Sequence, residues 1–194
     1  IFPIYPKAPK HAYQESFEKL DKLYQNLLKT VNTSKQITFM GDSAGGGLAL
    51  GFAMYIRDHR LPQPKDIILL SPWLDVSTQN PEIKNYEKVD PMLSSWGLNK
   101  MGELWAGSKE AMINPYVSPI FGHYNDLGRI SIFVGTHEIF LPDNQKLHEK
   151  LEQESIDHLF TISKKMNHVY VIYPIPEAID AQDAIIRIIN EKQG

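Results

Sequence analysis

None of the 194 residues is cysteine, which excludes disulfide cross-links, thiolate nucleophiles and cysteine-based zinc sites. The chain also lacks any apolar run approaching the roughly 20 residues that cross a bilayer, and no secretory leader pattern is visible. Charge of one sign is missing too. Lys and Arg number 20 against 23 Asp and Glu, for a net charge of −3. That balance offers no footprint for nucleic acid or an anionic membrane surface. No His-Glu-x-x-His spacing occurs, so a zinc hydrolase is not expected. What remains is 42% hydrophobic, enough to bury one substantial core. Cytoplasmic residence is the default expectation from these absences.

Hydrophobic patterning alternates between strand and helix, the rhythm of a mainly parallel sheet with helices on both faces. Residues 1–5 (Ile-Phe-Pro-Ile-Tyr) read as a strand already in progress. A helix follows over about 14–30, with Phe17, Leu20, Tyr24 and Leu27 on one face. Strand 36–40 and helix 45–58 come next, then a buried strand at Ile67-Ile68-Leu69-Leu70, stopped by Ser71-Pro72. Residues 130–134 and 157–163 read as two more strands. A last helix spans about 177–192, with Ile179, Ile185, Ile186, Ile188 and Ile189 as its apolar side. No repeat or linker interrupts the chain, so residues 1–194 are read as one domain.

The chemistry begins at Gly41-Asp42-Ser43-Ala44-Gly45. Gly-x-Ser-x-Gly carries weight here because a β-prone run enters it and a helix-forming run leaves it. Small residues are expected at such a turn, and Gly41 and Gly45 read as positions where a Cβ would clash. The serine would sit at a helix N-terminus, where the Ala44 N–H and the helix dipole favour an oxyanion. A phosphate-binding loop is the competing reading. It requires Lys and Ser/Thr after the last glycine, whereas Gly47 is followed by Leu48. Ser43 is the candidate nucleophile, and Asp42 reads as a locally hydrogen-bonded turn residue.

A serine hydrolase of this type needs an acid and then a histidine later in the chain, each in a loop after a strand. Gly135-Thr136-His137-Glu138 follows the strand near 130, and Lys164-Lys165-Met166-Asn167-His168 follows the strand near 157. His168 is therefore the candidate base and Glu138 the group that orients it. Asp143 is the rival acid, although Pro142-Asp143 reads better as the start of a helix. His137 shares the acid loop; His11, His59, His123, His148 and His158 show no comparable context.

Residues 73–125 break the rhythm. They hold Trp73, Trp96 and Trp105 with Tyr86, Met92, Met101 and Met112, punctuated by prolines. Their aromatic content argues against disorder. An insertion of this kind, about 76–112, reads as a cap whose Trp and Met side chains line an acyl pocket. Ordinary surface packing is the alternative for any one of them.

Gly-Asp-Ser-Ala-Gly-Gly around Ser43 resembles the hormone-sensitive-lipase-like branch of the α/β-hydrolases, which are carboxylesterases and lipases. Tyr5-Pro6-Lys7-Ala8-Pro9-Lys10-His11 is similar to the segment that precedes the nucleophile in that family. Gly135 to Ile139 with Asp143 resembles its acid loop, and Met166-Asn167-His168-Val169 its histidine loop. The resemblance implies an α/β-hydrolase fold and a Ser43–His168–Glu138 triad. It further implies hydrolysis of short- to medium-chain acyl esters without metal or organic cofactor. Deacetylation of sugars or xenobiotics is the rival activity, and a receptor-like binding module is the rival class. A small-molecule ester is the implied partner, and the family analogy makes a homodimer plausible.

One departure stands out. The family carries a His-Gly-Gly-Gly loop upstream that completes the oxyanion hole, and nothing in residues 1–42 supplies it. The expectation is therefore that the chain is incomplete at its N-terminus, with that loop and a strand of the sheet lying before Ile1. Losing an oxyanion donor costs about 100- to 1000-fold in turnover.

Overall fold

The computed structural model describes residues 1–191. Four strands form one sheet in the order β1-β2-β3-β4, every neighbouring pair parallel: β1 (Thr38–Asp42), β2 (Asp66–Leu70), β3 (Arg129–His137) and β4 (His158–Asn167). Among the described residues five α-helices accompany them: α1 (Tyr13–Leu28), α2 (Ala44–Asp58), α3 (Ser95–Ala106), α4 (Leu141–Gln153) and α5 (Pro176–Asn190). Parallel strands require crossover connections, and helices supply them between β1 and β2 and between β3 and β4.

The sheet is covered on both faces. All five residues of β2 are buried, which is why the run Ile67-Ile68-Leu69-Leu70 is continuously apolar rather than alternating. Alternate side chains serve opposite cores. Ile67, Leu69, Ile130 and Ile132 pack with Leu50 and Met54 of α2 and Leu147 and Leu151 of α4. Ile68, Leu70 and Phe133 pack with Tyr170 and with Ala178, Ala181 and Ile185 of α5. Helix α1 lies against α2 through Phe17, Leu20 and Tyr24 meeting Phe52 and Ile56. The expected α/β architecture with helices on both faces is therefore present.

Three expectations change. Residues 1–12 hold no strand; Ile1, Phe2 and Ile4 are about 90% exposed, and no described strand pairs with the outer edge of β1. A β-prone pentapeptide without a neighbouring ladder has nowhere to place its backbone hydrogen bonds, and Pro3 removes one donor outright. In α5 the buried side is Ala178, Ala181, Ile185 and Ile188, whereas Ile179, Ile186 and Ile189 face outward. Helical spacing selects the 178-181-185-188 row, and two alanines in it hid the face. The sequence-predicted end of that helix at residue 192 lies outside the described residues. Finally, residues 164–167 continue β4 rather than forming a loop, with a register irregularity opposite Gly135 to His137.

Candidate active site

Ser43 stands between β1 and α2 with φ 52° and ψ −121°, a conformation costly to any residue with a Cβ. Its backbone is held from several sides. The Ser43 N–H donates to the Leu70 carbonyl (2.9 Å), while its own carbonyl accepts from Gly46 (3.0 Å), Gly47 (3.2 Å) and Trp73 (2.9 Å). The glycines around it divide differently from expectation. A Cβ on Gly41 would lie 2.3 Å from the Gly45 carbonyl oxygen, and one on Gly47 would lie 2.1 Å from the Trp73 carbonyl oxygen. A Cβ on Gly45 would meet open space. A Cβ on Gly46 would lie 2.8 Å from Pro72 Cβ, so Gly41, Gly46 and Gly47 are the positions that close packing of strand, helix and the Pro72-Trp73 segment demands. Ala44, first residue of α2, has a backbone N–H with no partner within the helix. Asp42 is exposed and its side chain makes no hydrogen bond among the described residues, so it does not stabilise the turn in the expected way.

Glu138 follows β3 and His168 follows β4, and the two side chains meet. His168 Nδ1 lies 2.8 Å from Glu138 Oε2, and both residues are buried. The other carboxylate oxygen, Oε1, accepts from the Ser71 hydroxyl (2.7 Å) and the Gly135 N–H (2.7 Å). Since a carboxylate only accepts, Nδ1 carries the hydrogen and His168 Nε2 is the nitrogen left with a lone pair. The His168 and Phe140 rings meet in a T-shaped arrangement (5.1 Å, 79°), and Phe140 stacks on Trp73 (6.1 Å, 12°). The imidazole is thereby fixed by both a hydrogen bond and packing. Ser43 lies on the same C-terminal edge of the sheet, after β1, the crevice side where open α/β sheets build sites. Its Oγ makes no hydrogen bond to His168 in this structure.

The rivals separate cleanly. Asp143 lies in the first turn of α4, is buried, and accepts from the Asn80 side chain (2.8 Å) instead of touching a histidine. Burial pushes its carboxyl up to about 6, with Asn80 opposing that shift. His137 ends β3, half-buried, one residue before the acid.

Two supporting residues were missed at the level of sequence. Ser71, with φ 45°, donates to Glu138 and accepts from the Val169 N–H (3.0 Å), so one hydroxyl joins the acid loop to the histidine loop. The available signal was its place at the end of a buried strand, on the same edge as the other candidates. Asp90 is buried; its Oδ1 accepts from Met92 and Leu93 N–H (2.8 and 3.0 Å) and its Oδ2 from Ile139 N–H (2.9 Å). It clamps the segment between β2 and β3 onto the residue after Glu138.

That segment is ordered and divided in its exposure. Trp73 and Met112 are buried in a cluster with Val76, Ile83, Ile139 and Phe140, whereas Trp96, Met92 and Met101 are exposed. Met92 Sδ lies 3.5 Å from Asn167 Nδ2 and 3.6 Å from the Tyr173 hydroxyl, at the rim beside His168. On the other side of Ser43, a groove of about 610 Å³ runs along β1 and α1. Tyr5, Phe39, Met40, Ser43, Ala44 and Leu48 are among its lining residues; Glu138 and His168 are not.

The chain's relatives share this frame. The family described as "alpha/beta hydrolase fold" matches residues 1–172. An esterase from Acinetobacter venetianus is 31% identical over 185 residues, covering 91% of this chain and 59% of that protein. An acetyl-hydrolase from Streptomyces hygroscopicus is 26% identical over 188 residues, covering 94% of this chain and 62% of its own length. Among solved structures, a hormone-sensitive lipase from a metagenome library superimposes with a TM-score of 0.89 at 28% identity, covering 95% of this chain and 64% of that one. The chain thus spans about three fifths of the length of these relatives. No described helix is long and apolar enough to cross a membrane. With a family match over most of its length and this parallel sheet, the chain belongs to the hormone-sensitive-lipase-like α/β-hydrolases.

Proposed function

We propose that this chain carries the nucleophile, base and acid of a serine carboxylesterase acting on short- to medium-chain acyl esters. The observation that carries the reading is the buried Glu138–His168 pair at 2.8 Å, on the same sheet edge as a serine in a strained strand-to-helix turn. The order Ser, Glu, His along the chain agrees with it.

In this reading, Ser43 Oγ attacks the ester carbonyl carbon while His168 Nε2 accepts the hydroxyl proton. Glu138 holds the imidazole through Nδ1 and stabilises the imidazolium that forms. The developing oxyanion accepts from the Ala44 N–H, near the positive end of α2. The carbon–oxygen bond to the alcohol then breaks, and the alcohol leaves with the proton from His168. Water attacks the acyl-serine, His168 takes its proton, and the carboxylic acid departs as Ser43 recovers its hydrogen. No step requires a metal or an organic cofactor.

Acetyl-ester hydrolysis is the second reading, favoured by the acetyl-hydrolase among the relatives. A series of p-nitrophenyl esters from acetate to dodecanoate separates the two. Turnover peaking at about four to eight acyl carbons, as an apolar acyl pocket would favour, supports the first. Turnover confined to acetate supports the second. Hydrolysis that survives Ser43→Ala would contradict both.

A further inference from the structure

At the far end of β4 from His168, three side chains converge that the ester chemistry does not use. His148 and Glu152 are four residues apart on α4 and so share a face; His158 is the first residue of β4. Their nitrogen and oxygen donors all lie within 4.8 Å of one another. His148 Nδ1 is 2.7 Å from His158 Nε2, and Glu152 Oε1 is 4.0 Å from that same nitrogen.

We propose that His148, Glu152 and His158 form a binding site for a first-row divalent cation, with zinc the best fit. The donor set decides the class: two imidazoles and one carboxylate suit zinc, copper or nickel, whereas magnesium and calcium prefer all-oxygen ligands.

The second layer around these groups fits the same assignment. His158 Nδ1 lies 2.7 Å from the Ile156 carbonyl, to which it donates its hydrogen. Nε2 therefore keeps its lone pair and points at the cluster. A backbone carbonyl in that role is the usual device for orienting a metal-bound imidazole. The His158 side chain is only 4% exposed, so packing fixes the ring. His148 stacks on Phe160 (4.5 Å, 24°), which fixes the second ring. Glu152 is 67% exposed and can swing in to complete the set.

The adjustment required is small. Zinc–nitrogen bonds of about 2.0–2.1 Å in tetrahedral geometry place ligand atoms about 3.3 Å apart, so the imidazoles need to separate by about half an ångström. In the metal-free arrangement His148 Nδ1–H donates to His158 Nε2. Binding moves that hydrogen to His148 Nε2, which leaves both rings neutral and both facing nitrogens free to coordinate. Three protein ligands leave the fourth position to water. The ten residues of β4 put this cluster about 30 Å along the strand from His168. Its effect would be to cross-link the end of α4 to the start of β4 across the Glu154–Asp157 turn.

The test is calorimetric titration of zinc chloride into the full chain, free of any affinity tag and stripped with a chelator, with thermal melts in parallel. One zinc per chain, a melting temperature raised by zinc, and loss of both in His148→Gln are the expected results. Glu152→Gln, at an exposed position, should weaken binding about tenfold or more. His168→Gln should bind as the parent does, which separates this cluster from the ester site. No zinc uptake by the parent chain would overturn the proposal, as would unchanged uptake in His148→Gln. If His148→Gln does not fold, Glu152→Gln decides alone: undiminished affinity there overturns the assignment.

Discussion

Glu138 receives three hydrogen-bond donors on two oxygens: Ser71 and Gly135 on one, His168 on the other. Replacing it with glutamine keeps the shape but puts an NH2 where a donor must be accepted. The imidazole then loses its orienting acceptor or adopts the wrong tautomer. Glu138→Gln should lower kcat about 1000- to 10,000-fold with little change in KM, read from steady-state hydrolysis of a p-nitrophenyl ester. At this scale the placement of Ser43, Glu138 and His168 after β1, β3 and β4 was legible from their order along the chain; their catalytic roles belong to the proposed function. Ser71 was not: its role lies in a contact with Val169, 98 positions away, that no local pattern encodes. Gly45 was over-read, since motif membership does not say which glycine faces a backbone.

At the scale of elements, three residues with positive φ lie at the C-terminal edge of the sheet, beside the candidate site. Ser43, Ser71 and Val169 have φ of 52°, 45° and 53°, after β1, after β2 and at the histidine loop. Valine is among the residues least suited to that region, so the surrounding contacts must hold it there. The segment between β2 and β3 contributes to this through Asp90, which binds the Ile139 N–H next to Glu138. Asp90→Ala would strand three buried or half-buried N–H groups. It should destabilise the fold by about 1–3 kcal/mol in urea denaturation and lower kcat as the acid loop loosens. A variant with parental stability and kcat would show that the clamp is dispensable. Helices α1 and α2 and the strands were readable from periodicity and composition. Residues 1–5 were not, because β propensity becomes a strand only where a ladder exists. The apolar face of α5 was missed because Ala178 and Ala181 carry little hydrophobic signal.

For the molecule as a whole, one buried carboxyl ties stability to pH. Asp143 has a folded-state value of about 6 against 3.8 in its ordinary state, raised by burial. Between those values the folded chain holds a proton that the unfolded chain has released. Stability from this group is therefore lost as pH rises from about 4 to about 6, at a cost of about 3 kcal/mol above that window. Asp143→Asn should remove that slope. The difference in urea unfolding free energy between variant and parent should move in the variant's favour by about 2–3 kcal/mol from about pH 4 to about pH 7.5. An unchanged difference would show that Asp143 is ionised without penalty. The fold class was legible at this scale because alternating elements and a continuously apolar strand leave few architectures open. The divalent-cation cluster was not, since His148 and His158 meet only when α4 packs beside β4.

The most direct test of the central claim is intact-mass spectrometry of the full chain before and after a fluorophosphonate probe. An activated serine predicts one adduct, mapped to Ser43, absent in Ser43→Ala and strongly slowed in His168→Ala. No adduct, or an adduct elsewhere that persists in Ser43→Ala, would contradict the assignment of Ser43 as a nucleophile served by His168 and Glu138.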